Sequence, residues 1–196
     1  QNLPVCFIGV GAGLAYGVDG PTHHGTEDIG VISAIPNLEI FNPSDDASAR
    51  EAVKFSYSLK TPCFIRVDKE QLPRLYHHGV DLILGYEVHG SEFKKLIFCS
   101  GMTTWTGLKA KELLKKNYSI EVTVIDILRP KNYKTDGILN LLDNCEEVYV
   151  LDEASEYGGI ASLISRKLCG VGDFSFEVLS LGDKYITGSA KREWAW

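Results

Sequence analysis

The chain has 196 residues, 44% of them hydrophobic and 23% charged, with a formal net charge of −6. That is enough apolar material for a buried core in one large or two small domains. The negative balance leaves no electrostatic footprint for nucleic acid or an anionic membrane surface, and no apolar run approaches the roughly 20 residues of a membrane span. Taken in order, Val5-Cys6-Phe7-Ile8 reads as a buried strand opening into a Gly-rich loop. Gly30 to Ile35 is predicted as a short helix halted before Pro36, and Leu38 to Phe41 as the next strand. Ser44 or Asp45 caps a helix to about Leu59, with Asp45 and Asp46 against the positive end of its dipole. Ala49, Ala52, Val53, Ser56 and Tyr57 give that helix one small apolar face. Pro62 to Val67 reads as a strand, and residues 73–94 as a linker with a short hairpin, in which His77-His78 is a solvated pair.

A second unit begins at Lys95. Leu96 to Cys99 is a strand, Thr104 to Asn117 a helix and Val122 to Ile127 a strand. Lys131 to Asn144 reads as mostly helical, Val148 to Leu151 as a strand, Ile160 to Cys169 as a helix and Phe174 to Leu179 as a closing strand. Strands alternating with helices imply an α/β fold: two units with mostly parallel sheets flanked by helices and joined by right-handed crossovers. The five cysteines (Cys6, Cys63, Cys99, Cys145, Cys169) are scattered, odd in number and mostly set in apolar runs. They read as reduced core thiols of a cytosolic protein and not as a disulfide framework.

The chemistry gathers in the Gly-rich loop. Six glycines fall between positions 9 and 25, interleaved with Asp19, His23 and His24, and Glu27 and Asp28 follow. Polar groups after a strand lie at the carboxyl end of a sheet, where open α/β folds bind ligands. His23 and His24 are adjacent, so on an extended segment only one need face a ligand. A His with a carboxylate neighbour such as Asp19 can serve as an acid or base, or as a cationic contact for phosphate. The plainer alternative is a polar surface loop whose histidines bond locally. No Cys or second His pair sits at zinc-ligand spacing, and the glycine spacing does not fit a dinucleotide fingerprint. From the residues alone, the loop is a small-molecule site.

Gly17-Val18-Asp19-Gly20-Pro21-Thr22-His23-His24-Gly25, then Glu27-Asp28-Ile29, Ile35-Pro36-Asn37-Leu38-Glu39-Ile40 and Pro43-Ser44-Asp45 together resemble the pyrimidine-binding domain of transketolases and 1-deoxyxylulose-5-phosphate synthases. Pro62-Cys63-Phe64-Ile65-Arg66-Val67 looks like that domain's closing strand. Leu151-Asp152-Glu153 with Tyr157-Gly158-Gly159-Ile160-Ala161-Ser162 looks like the C-terminal transketolase domain. The resemblance implies that residues 1–72 are the end of a pyrimidine-binding domain, 73–94 a linker and 95–196 the C-terminal domain. Gly158-Gly159 before a helix offers an anion site on bare chemistry, but the resemblance favours a structural role for it, and for Glu153 and Glu156. The β-type subunit of a 2-oxoacid dehydrogenase shares the architecture, but its loop lacks the Asp-Gly-Pro-Thr-His-His run.

What the resemblance implies for function is ketol transfer from a ketose donor to an aldose acceptor. Thiamine diphosphate carries the chemistry and the protein supplies binding and orientation. Asp19 and His23 are the implied catalytic residues, Asp19 on the acceptor's α-hydroxyl and His23 on the reacting hydroxyl or phosphate. His24, Arg66 and Lys69 are the implied substrate-binding residues. Aligning on Gln71-Leu72-Pro73 puts Lys69, not Arg66, at the family's basic position, and a Lys lacks the bidentate fork of Arg. Arg66 alone reads equally well as a salt-bridged strand end. Transketolases carry a further His near the position of Gly11, and the synthases an Arg near Ala12. This chain has neither, which points to an unusual acceptor or one without phosphate.

The Gly-Asp-Gly…Asn motif for the diphosphate and its Mg²⁺ or Ca²⁺ does not occur, so no metal site is expected here. The cofactor-binding residues, with the catalytic Glu, are expected upstream of Gln1. Gln1 is not an initiator methionine, and the expectation is a chain that is cut or starts beyond a further segment, and that stops short of the family's terminal helix. Alone it is expected to be inactive and not to bind the cofactor. Its expected partners are a diphosphate-binding domain or subunit, in a cytoplasmic homodimer or heterotetramer acting on sugars. Three alternatives stay open: a synthase-like enzyme, the C-terminal subunit of a split transketolase, and a non-catalytic interaction module.

Overall fold

Two sheets, one parallel and one mainly parallel, each laid down by alternating strands and helices, organise the residues 2–194 that the computed structural model describes. The first comprises β1 (Cys6–Val10), β2 (Glu39–Phe41) and β3 (Cys63–Val67) in the order β1-β3-β2, all parallel. Its crossovers carry α1 (Asp28–Ser33) and α2 (Asp46–Ser58). The second comprises β4 (Tyr86–His89), β5 (Lys95–Cys99), β6 (Thr123–Ile127), β7 (Glu147–Leu151) and β8 (Ser175–Leu179) in the order β4-β6-β5-β7-β8. Only β4 runs antiparallel to its neighbour. Three helices complete this unit: α3 (Met102–Tyr118), α4 (Asp136–Leu142) and α5 (Ile160–Leu168).

Strand alternation divides the second core into two layers. Leu96, Phe98, Ile125, Val148 and Val150 pack with Ile138, Leu142, Ile160 and Ile164 of α4 and α5. Their chain neighbours Ile97, Cys99, Val124 and Leu151 point the other way, with Leu108 and Leu114 of α3. Strands covered on both faces read as nearly continuous apolar runs, as these do.

The two units are sewn together by buried polar contacts. Asn42 Nδ2 donates to Ser100 Oγ at 2.8 Å, and the Asn42 backbone N–H to the Leu128 carbonyl at 3.0 Å. Tyr76, from the connecting segment, donates its hydroxyl to Asp126 at 2.6 Å, and Thr104 donates to the other Asp126 oxygen at 2.8 Å. Ile29 of α1 sits in the core of the second unit.

Four expectations are corrected. β1 forms, but Phe7, Ile8 and Val10 are 54%, 60% and 60% exposed. It pairs only with β3 and so forms an edge. The apolar face expected for α2 is only partly inward: Ala52 is buried, but Val53 and Tyr57 are exposed, and Ser48, Phe55 and Leu59 complete the face toward the core. The stretch 73–94 includes β4, a full strand of the second sheet. The helix expected from Lys131 shrinks to α4, because Tyr133 leaves the helical path and buries its ring against Tyr86. Of the five cysteines, all free, Cys6 and Cys169 are exposed and the other three are buried. Among the described residues, no helix is long and apolar enough to cross a membrane.

Candidate functional site

The Gly-rich loop leaves β1 at the carboxyl end of the first sheet. Reciprocal backbone bonds between Gly13 and Gly25, at 3.1 and 2.8 Å, close its neck. Gly13 has φ +56°, and a Cβ there would lie 2.2 Å from Glu153 Oε2, so only glycine fits. At Gly11, with φ +101°, the Tyr16 ring occupies the space a side chain would need. Within the neck the chain makes two single 3₁₀ turns, Gly17–Asp19 and Pro21–His23.

These turns bring together three of the five residues singled out from the sequence. Lys69, just past β3, lies 3.7 Å from Asp19, and both side chains are nearly half exposed. The Lys69 ammonium also sits 4.3 Å from the centre of the Tyr16 ring, and the His23 ring packs 6.1 Å from that same ring. Tyr16 therefore contacts both Lys69 and His23. His23 is exposed, with its Nδ1 3.0 Å from the Thr22 hydroxyl. His24 turns inward, and its Nε2 is shielded from solvent without a hydrogen-bond partner among the described residues.

Arg66 is placed differently. It is 7% exposed, and its guanidinium donates to Asp28 at 2.8 Å and to the Gly25 carbonyl at 2.9 Å. It thus grips the loop's neck from within, the salt-bridged alternative open from the sequence.

The second unit reaches the loop as well. Glu153, in the β7–α5 connection, accepts the Leu14 N–H at 3.1 Å. Arg192, near the end of the described chain, donates to the Ala12 carbonyl at 3.1 Å and to Asp68 at 2.6 Å. The potential anion site at Gly158-Gly159 is filled from within, because Asp152 accepts the Ala161 N–H at 2.9 Å at the start of α5. Burial, only partly offset by that bond, raises the Asp152 carboxyl to about 6. Sequence reasoning missed Tyr16 and Arg192. An aromatic residue among six glycines is a readable signal, whereas an Arg in a polar, aperiodic tail carries none.

A glycine-rich loop at the carboxyl ends of a parallel sheet, presenting a carboxylate, an imidazole and an ammonium to solvent, lies where open α/β folds bind their ligands. The family description "Transketolase, pyrimidine binding domain" matches residues 1–74, and "Transketolase, C-terminal domain" matches residues 86–192. The chain belongs to the transketolase-like family of thiamine diphosphate enzymes and represents the C-terminal portion of its members.

Among its relatives, one of the subunits of the apulose-4-phosphate transketolase of Actinobacillus succinogenes is 28% identical over 167 residues, covering 85% of this chain and 53% of that protein. The 1-deoxy-D-xylulose-5-phosphate synthase of Thermotoga maritima is 28% identical over 203 residues, covering 98% of this chain and 31% of that protein. A solved split-gene transketolase, described as an "inactive beta4 tetramer", superposes with a TM-score of 0.80 at 22% identity, covering 94% of this chain and 59% of that one. The chain thus spans about half or less of the length of these curated relatives.

Proposed function

We propose that this chain is the substrate-binding part of a transketolase-like enzyme that moves a two-carbon ketol unit from a ketose to an aldose. The observation that carries the proposal is that Lys69 and His23 both contact Tyr16, with Asp19 beside Lys69 and all three polar side chains exposed. Asp19 accepts a hydrogen bond from the acceptor's α-hydroxyl, and His23 contacts the reacting hydroxyl and exchanges its proton. Lys69 attracts the anionic or hydroxylated end of the sugar as a point charge. His24 walls the site, and Arg66 serves it by holding the loop's neck.

Among the described residues, no group of three or more His, Cys, Asp or Glu side chains is placed to hold a metal ion. A separate domain or subunit is proposed to hold thiamine diphosphate with Mg²⁺ or Ca²⁺, in a homodimer or heterotetramer. A two-part enzyme is supported by two of the similar proteins, one named as a single subunit of a transketolase and the other as a split-gene transketolase. The free thiols suit a reducing compartment such as the cytoplasm.

A second reading, a 1-deoxyxylulose-5-phosphate synthase-like activity, is favoured by the likeness to such synthases along 98% of this chain. The test uses the full-length protein with its diphosphate-binding part, thiamine diphosphate and Mg²⁺, offered hydroxypyruvate or pyruvate as donor with a panel of aldoses. Transfer from hydroxypyruvate, abolished without the cofactor, is the expected result. Use of pyruvate alone would establish the second reading, and no turnover with any pair would leave an interaction module.

A further inference from the structure

The candidate site is made by the first unit, yet its loop hangs on a charge from the far end of the chain. The Arg192 side chain is 6% exposed, as are those of Asp68 and Glu153 that flank it. One terminal nitrogen donates to both the Ala12 carbonyl and Asp68, while Nε lies 2.9 Å from Glu153 Oε1 and the other terminal nitrogen 4.0 Å from Glu70. The second oxygen of Glu153 accepts the Leu14 N–H. Two residues before Arg192, the Ala190 N–H donates to the Gly17 carbonyl at 3.1 Å.

These contacts share a pattern. Ala12, Leu14 and Gly17 belong to the loop that carries Tyr16, Asp19 and His23, and Asp68 directly precedes Lys69. We infer that Arg192 is a positioning residue that sets Lys69 against the Tyr16–Asp19 face of the loop, with Glu153 as its counter-charge. The inference rests on the substrate-binding role of that face proposed above.

The chemistry favours this over simple packing. A buried guanidinium is costly unless ion-paired and hydrogen-bonded, and an apolar side chain would fill the same volume without that cost. Only a planar, multi-donor cation can span a loop carbonyl and two carboxylates on different segments at once, which Lys cannot reproduce. Removing it takes away the cation that Asp68 and Glu153 share, and with it the tie between the two segments whose spacing defines the site.

The test uses the full-length protein with its cofactor-binding part. Arg192→Gln is expected to lower kcat/KM by about 100-fold, the size of effect that a misplacement of about 1 Å produces. Lys69→Met in the Arg192→Gln background should then cost less than threefold more, because the two residues act as one unit. Arg192→Lys is expected to fall between wild type and Arg192→Gln. Hydrogen exchange supplies a readout independent of turnover: amides of residues 12–20 should exchange at least tenfold faster in Arg192→Gln, with β5 and β6 unchanged. If Arg192→Gln does not fold, Arg192→Lys and Glu153→Gln carry the same two readouts. Unchanged loop exchange, or fully multiplicative losses with Lys69→Met, would overturn the inference. A wild type that turns over no sugar, yet shows the exchange effect, would sink the proposed activity and leave the positioning role standing.

Discussion

At the scale of single residues, exposure separates function from stability. The Lys69–Asp19 pair spans 3.7 Å with both side chains nearly half in solvent, and such a pair stabilises a fold by about 0–1 kcal/mol. Lys69→Met should therefore leave thermal unfolding nearly unchanged while lowering kcat/KM for a phosphorylated acceptor by about tenfold, the loss of about one moderate charge contact. Equal losses for phosphorylated and unphosphorylated aldoses would show that Lys69 does not read the phosphate. Asp126 is the opposite case. Its carboxyl is buried among Tyr76, Thr104 and Ser44, and desolvation raises it from 3.8 to about 7 despite those hydrogen bonds. Between these values the folded protein holds a proton that the unfolded chain has released, so stability falls as pH rises through the window. The slope from this group approaches about 1.4 kcal/mol per pH unit. Asp126→Asn keeps an acceptor for Thr104 or Tyr76 and should flatten that fall, measured by denaturant unfolding from pH 4 to 8. An unaltered slope would show that Asp126 does not carry it. This site was hidden in the sequence, since Thr123-Val124-Ile125-Asp126-Ile127 gives no hint that Tyr76, 50 positions away, closes over the carboxylate.

At the scale of elements, local signals were readable and their tertiary use was not. Asp45 was legible, with Ser44, as a candidate helix cap, because Asp and Ser are favoured at the N-cap. The structure settles on Asp45 and forms a reciprocal pair, with Ser48 N–H to Asp45 at 2.7 Å and the Asp45 N–H to Ser48 Oγ at 3.1 Å. What the sequence withheld is the second job of the same carboxylate, which accepts the Leu75 and Tyr76 N–H groups at 2.8 Å each. One side chain thus starts α2 and anchors the connecting segment. Asp45→Ala leaves several buried donors unmatched and should cost about 3 kcal/mol, while Asp45→Asn should recover part of it. A loss below about 1 kcal/mol would show that the cap alone matters. β4 escaped notice because Tyr86-Glu87-Val88-His89 lies between glycines in a stretch rich in turn residues. Its pairing with β6 depends on a partner strand nearly 40 residues away.

At the scale of the whole molecule, the two α/β units, the order of most of their elements and the Gly-rich loop could be read from periodicity and glycine placement. The exposure of β1 could not, because composition reports what a strand is built to contact and not what covers it. Val5, Phe7, Ile8 and Val10 together have the composition of a strand buried on both faces, yet all are 42% exposed or more. Val53 and Tyr57 of α2 turn the same way, and with Val5, Cys6 and Ile8 they line an open groove of about 360 Å³. An apolar sheet edge and helix face that open together are unusual on a free surface and favour association. In the full-length protein and its assembly, this surface is expected to be covered. The 196-residue chain alone should bind a hydrophobic dye strongly, and Ile8→Lys should reduce both dye binding and aggregation with little change in its unfolding temperature. In the complete protein the same substitution places a charge against apolar cover, and it should destabilise the assembly by about 3 kcal/mol or more. An Ile8→Lys variant of full normal stability in the complete protein would mean that β1 is a true free edge, and that its composition reflects something other than burial.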